Sequence, residues 1–245
     1  DWSSDVCSSD LLLHGLDGIA AVWGPLVAAL GPGADVLAPD LAGHGSAPTL
    51  GRYGYDDLAG EVVSRLGDGL VGRDLVLVGH SLGGVVALLL AARPELSVRA
   101  VVAVGCKTTW PDADLAAMAR VADKGVAAFD GQAEAIERFL LVSGLPGLLD
   151  PADAITGVRP EEGRWRLAVD PEVHRVAAVD FAALLDGAGV PVVLAAGEHD
   201  AMAPPADLAR FGRPVEVIAG AGHNAHVERP DAVAALLEPF LATRR

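Results

Sequence analysis

The stretch Leu75-Val76-Leu77-Val78-Gly79-His80-Ser81-Leu82-Gly83-Gly84 decides how this chain is read. Four consecutive aliphatic residues predict a strand buried on both faces. The strand runs straight into a Gly-x-Ser-x-Gly turn, and Val85–Ala92 continues as an apolar helix. So sharp a strand-to-helix turn presents the Ser81 hydroxyl at the edge of a sheet. Glycines on either side remove side chains that would collide there. The helix N-terminus behind the serine favours negative charge developing at the turn. The plainer alternative is a Gly-rich turn whose serine only caps the helix.

A serine hydroxyl is a poor nucleophile until a base takes its proton. Of the seven histidines, His14, His44 and His80 sit in turns that belong to other motifs. His174 lies in a segment of different character, and His199 adjoins an acid. His223 follows Gly222 in a loop just past the predicted strand Val215–Ile218, and it is the expected base. His226 is assigned a supporting or structural role. Asp200 ends Gly197-Glu198-His199-Asp200, beyond the predicted strand Val190–Ala195, and is the expected acid that orients the base. Glu198 is the weaker alternative. Parallel strands bring their C-terminal ends to one edge, so Ser81, Asp200 and His223 can converge there. The backbone N–H groups of Leu82 and Leu16 are the expected oxyanion donors. Leu16 follows His14-Gly15 at the end of the predicted strand Leu11–Leu13.

Outward from these motifs, short apolar runs alternate with helical stretches, the pattern of a parallel sheet covered on both faces. Helices are predicted over Ala20–Leu30, Tyr55–Leu66 and Asp231–Leu241, with further strands over Asp35–Ala38 and Val98–Val104. The rhythm breaks from about Lys107 to Asp186, a mainly helical segment with no clear strand. It reads as a helical cap inserted between two halves of a core, 11–106 and 187–245. The opening residues 1–10 resemble a translated sequencing adapter and are expected to be foreign to the fold.

Composition narrows the function classes. The chain has 245 residues, 51% of them hydrophobic and 21% charged, enough for a sizeable core. A net charge of −15 opposes binding to nucleic acid or to an anionic membrane. Two cysteines make no disulfide framework, no spanning apolar run occurs, and a cytoplasmic location is expected.

These motifs, with Asp40-Leu41-Ala42-Gly43-His44-Gly45 and Gly222-His223 through Glu228-Arg229-Pro230, resemble the α/β-hydrolase superfamily from Leu11 to the C-terminus, the insertion excepted. The resemblance implies an α/β-hydrolase fold: a mostly parallel sheet, helices on both faces, and a cap. Two strands that normally precede Leu11–Leu13 are expected to be missing, leaving Asp35–Ala38 as an exposed edge. The implied chemistry is cofactor-independent, with no metal, and hydrolyses a small-molecule ester through an acyl-enzyme on Ser81. His14, Gly15, His80, Trp110, Met118, Phe129, Phe139 and Leu140 are the candidates to contact substrate. An acyltransferase, a lactone or C–C hydrolase with the same three residues, and a ligand-binding protein on this fold are the rival readings.

Overall fold

The computed structural model describes residues 8–70 and 72–241. Strand β1 (Ser8–Leu13) leads through a 3-10 turn at Ala20–Trp23 into α1 (Gly24–Leu30) and β2 (Val36–Leu37). The regular helix starts at Gly24 with Pro25 in its first turn, where no intrahelical N–H partner is needed, so the helix expected over Ala20–Leu30 is divided. Helix α2 (Tyr55–Leu70) precedes β3 (Asp74–His80), α3 (Leu82–Ala91) and β4 (Ser97–Val104). An excursion follows, with α4 (Asp112–Lys124), β5 (Ala128–Phe129), α5 (Gln132–Val142), β6 (Val158–Glu161) and β7 (Arg164–Leu167). The chain returns through α6 (Phe181–Gly187), β8 (Val192–Gly197), α7 (Pro205–Ala209) and β9 (Val215–Ile218). Two helices close it, α8 (Ala225–Glu228) and α9 (Pro230–Leu241).

The main sheet has the order β2-β1-β3-β4-β8-β9, and its pairings are parallel. Strand β3 is buried from Leu75 through His80, as a central strand covered on both faces must be. Two groups of helices cover the sheet: α2, α3 and α6 pack together, as do α1, α8 and α9. The residues of α3 are apolar on every side because sheet and helices surround it. Of the ten opening residues, 1–7 lie outside the described residues, while Ser8, Ser9 and Asp10 pair with β3 as part of β1. The Asp35–Ala38 strand is observed as β2 at the edge.

Because β4 and β8 are neighbours, everything between them is a detour from the sheet. The sequence predicts no strand there, yet β5, β7 and β6 form a small antiparallel sheet. Strands β6 and β7 meet through a two-residue turn at Glu162 and Gly163, both with positive φ (51° and 77°), the geometry that matches strand twist. Charged residues and Pro160 hide these strands from a search for apolar runs. Helix α6 packs on α3, so the return to the core begins with it.

Helix α3 sits against the end of β1 with no room for a side chain at Gly83, where a Cβ would collide with the carbonyl oxygens of Leu13 and His14. Gly83→Ala is therefore expected to destabilise the fold by about 1–3 kcal/mol, read as a lower urea midpoint at unchanged m. An unchanged midpoint would contradict the tight packing of this helix start.

Candidate active site

Ser81 stands where β3 becomes α3, with φ 51° and ψ −114°, a backbone conformation that side-chain-bearing residues rarely adopt. Its N–H donates to Val104 O at 2.8 Å, and its carbonyl accepts from Gly84 N–H at 3.0 Å. Beneath it, the Cys106 thiol lies 3.6 Å from the same carbonyl. A Cβ on Gly84 would strike that sulfur. Burial, aided by the Asp200 charge, pushes the Cys106 thiol up to about 12, so it packs there as a neutral group.

Asp200 and His223 come from the turns after β8 and β9. His223 Nδ1 lies 2.9 Å from Asp200 Oδ2. The other carboxylate oxygen, Oδ1, accepts the N–H groups of Met202 and Ala203, both at 2.9 Å. Burial alone would raise the Asp200 carboxyl. The hydrogen bond and charge of His223 and the two backbone donors outweigh it, and the carboxyl lies below its usual range. With Nδ1–H directed to the carboxylate, the lone pair of the neutral imidazole lies on Nε2. The alternative acid, Glu198, accepts instead from Gly220 N–H at 2.9 Å on the exposed surface.

His80 supports His223, the candidate base, from behind. Its Nε2–H donates to His223 O at 2.9 Å, and its ring lies 4.7 Å from His223 and 4.3 Å from His226, centre to centre. His226 in turn packs on Trp23 at 4.6 Å. Burial holds His226 down to about 3 and His80 well below the usual imidazole value. The pair therefore forms a neutral wall, which fits the supporting role expected of His226.

The turn after β1 closes on the serine. A Cβ on Gly15 would come within 2.7 Å of His80 Nδ1 and 3.3 Å of Ser81 Cβ. Leu82 is the first residue of α3, where helix N–H groups lack intrahelical partners. The insertion grips both sides of this region. Asn224 Nδ2 donates to Ser143 O and Gly144 O at 3.1 and 3.0 Å. The Ser143 hydroxyl faces two carbonyl acceptors, Asp17 O at 2.7 Å and Phe139 O at 2.9 Å.

Two clefts meet at Ser81. One, of about 310 Å³, is lined by Gly15, Leu16, Ser143, His223, Asn224 and His226 among others. The other, of about 340 Å³, is more apolar, with Tyr55, Leu82, Trp110, Met118 and Val176 in its wall. Ser81, Leu16 and Met202 belong to both. Among the candidate substrate contacts, Gly15 and His80 face the first cleft, and Trp110 and Met118 the second.

The other candidates are corrected. His14 is fully buried: its Nε2 accepts from Leu41 N–H at 2.9 Å, its Nδ1 lies 2.8 Å from Gly15 O, and burial drives it down to about 3. It therefore braces the turn and has no cleft surface. Phe139 and Leu140 are core residues, with Phe139 packed under Gly157. Phe129 faces a separate cavity in the insertion, beside Arg138 and His174. Asp17, Ser143, Asn224 and Cys106 were missed as site residues. Only Asn224, adjacent to the base, and Asp17, adjacent to Leu16, carried a positional signal. Among the described residues, no three of His, Cys, Asp and Glu converge as a metal site requires. No helix among them is long and apolar enough to cross a membrane.

Comparison with known proteins identifies the family and the fold. The sequence profile of the "Alpha/beta hydrolase family" matches residues 11–236. A pimeloyl-[acyl-carrier protein] methyl ester esterase of Neisseria meningitidis serogroup C is 30% identical over 97% of this chain and 94% of its own length. A 2-(acetamidomethylene)succinate hydrolase of Mesorhizobium japonicum is 28% identical over 94% of this chain and 87% of its own length. A crystal structure of E-2-(acetamidomethylene)succinate hydrolase superposes with a TM-score of 0.79 at 24% identity, covering 97% of this chain and 93% of that one.

The depressed carboxyl of Asp200 gives a signed prediction. Its contribution to stability is complete above the unfolded value of about 3.9 and is lost as pH falls through the lower folded value. The gap in unfolding free energy between the parent and Asp200→Asn is expected to narrow as pH falls below about 4, where the carboxylate of the parent is protonated. Urea titrations between about pH 4 and 2 measure it, and a gap that stays constant or widens over that range would refute the assignment.

Proposed function

Because the chain belongs to the alpha/beta hydrolase family, we propose that it is a cofactor-independent serine hydrolase that cleaves carboxylic esters of small molecules. The observation that carries this reading is the hydrogen bond of His223 to a buried Asp200, in a cleft that His223 shares with Ser81. His223 Nε2 takes the hydroxyl proton as Ser81 Oγ attacks the ester carbonyl. The oxyanion accepts hydrogen bonds from the N–H groups of Leu16 and Leu82. The ester C–O bond then breaks, His223 passes its proton to the leaving alkoxide, and the acyl group stays on Ser81. Water, activated by the same imidazole, releases the acid and restores the serine. Asp200 remains ionised and keeps His223 oriented throughout.

The two clefts divide the substrate. The apolar one receives the acyl chain and the polar one the leaving alcohol and the deacylating water. The insertion from Lys107 up to the start of α6 acts as the cap that roofs the acyl cleft, with Trp110, Met118 and Val176 as its contacts. The name of the Neisseria meningitidis relative, a methyl ester esterase, supports ester cleavage as the reaction class.

Short-chain p-nitrophenyl esters should give a burst of p-nitrophenol stoichiometric with enzyme. Ser81→Ala should lower turnover at least about a thousandfold while remaining folded. A folded parent that shows no turnover and no burst would overturn the reading. Met118→Trp should raise KM for hexanoate and octanoate esters far more than for acetate, because it fills the acyl cleft. Equal effects across that series would place the acyl chain elsewhere.

A further inference from the structure

Asp17 follows the proposed oxyanion donor Leu16 and holds a positive φ of 59°. Asp tolerates that region better than most residues, yet at a cost that its surroundings must offset. Three groups from three parts of the chain hold it. Its N–H donates to His44 Nε2 at 3.2 Å. Its carbonyl lies 2.7 Å from the Ser143 hydroxyl, whose one proton is shared with Phe139 O at 2.9 Å. Its Oδ2 lies 3.1 Å from Nε2 of His174, which belongs to the short 3-10 helix Pro171–Arg175 in the insertion.

The hydrogen-bond geometry specifies the protonation of each ring. His44 Nδ1 faces Ala42 O at 3.2 Å, so Nδ1 donates and Nε2 is free to accept from Asp17. His174 differs: Nδ1 faces Pro171 O at 3.1 Å and Nε2 faces the Asp17 carboxylate. Both partners are acceptors, and only an imidazolium donates from both nitrogens.

We propose that His174 is a positioning residue of the insertion, which as an imidazolium pairs with Asp17 and thereby holds the Gly15–Gly18 turn, with its Leu16 N–H, against Ser81. The catalytic part of this role rests on reading Leu16 as an oxyanion donor. The fixing of the turn does not.

The surroundings agree. Burial opposes charge on His174, but the hydrogen bond and charge of Asp17, with the Pro171 carbonyl, outweigh it and raise its pKa. His44 also faces it from the core, kept low chiefly by burial. Lys124 of α4 and Arg138 of α5 line the same cavity. On its own turn, Glu172 and Arg175 pair with each other, and Arg175 also pairs with Asp123 of α4. Asp17 is thus the acidic group in direct contact with His174. A raised folded pKa makes the latch complete below the unfolded value of about 6.5 and lost as pH rises through the folded value. Activity therefore gains an alkaline limb from His174.

Three measurements test this on the full chain. The His174 ring resonance, assigned with His174→Gln, should titrate above pH 6.5 in the parent and lower in Asp17→Asn; an unmoved midpoint overturns the ion pair. Amide hydrogen exchange in a peptide spanning 11–19 should quicken in His174→Gln at neutral pH, and in the parent above its titration; unchanged exchange overturns the fixing of the turn. With p-nitrophenyl butyrate, His174→Gln should lower kcat about tenfold to a hundredfold with KM nearly constant and should lose the alkaline limb. His174→Lys, a cation that does not titrate below about pH 10, should retain kcat where the parent declines. Profiles of the Gln variant that match the parent overturn the catalytic role. A parent without esterase turnover would fail the proposed function alone, since resonance and exchange still decide the latch.

Discussion

Three backbone segments meet at Ser81 more closely than side chains would permit. The start of α3 lies against the end of β1 at Gly83, the thiol of Cys106 fills the space left by Gly84, and Gly15 leaves room for the His80 ring. This close approach holds the serine at a backbone conformation that costs roughly 1–3 kcal/mol in isolation. The neighbouring strands β1, β3 and β4 supply the offset through their paired backbones. The proposed site is arranged around that fixed point, with Leu16 and Leu82 beside it and His223 across the cleft.

How much of this was legible in the sequence depended on distance along the chain. Ser81, Asp200 and His223 each follow a predicted strand by a few residues, so the topology of a parallel sheet alone brings them to one edge. The cleft walls do not follow from topology. Phe139 and Leu140 looked like pocket residues because they are apolar and lie in the insertion, yet α5 turns them into the core. Trp110 and Met118, equally apolar, face the cleft. Nothing local separates the two pairs. Strands β6 and β7 escaped notice because Arg, Glu and Pro occupy a sheet whose outer face is wet. Asp17 and His174 stand 157 residues apart, and no spacing rule joins them.

The histidines show how burial assigns charge. His14, His80 and His226 lie within the protein close to the base and are held neutral chiefly by desolvation. A fixed cation in any of those places would oppose the imidazolium that the proposed mechanism forms on His223. The charged imidazole lies farther out, at His174, where a carboxylate compensates it. Residue type alone does not distinguish these roles. The number of acceptors facing each ring does.

The adjacency of β4 and β8 also bears on how such a protein can change over generations. The whole excursion from Gly105 to Pro191 leaves and rejoins the sheet at neighbouring strands. Its ends are held at a fixed separation whatever lies between them. The entropy of closing a loop grows only slowly with its length, by about 0.6 kcal/mol for each doubling. A change of length in the excursion therefore costs the sheet little in closure entropy. What each altered excursion must rebuild is its share of the common core, Phe139, Val173 and Phe181 among it, together with the polar ties at Ser143, Asn224 and Asp17.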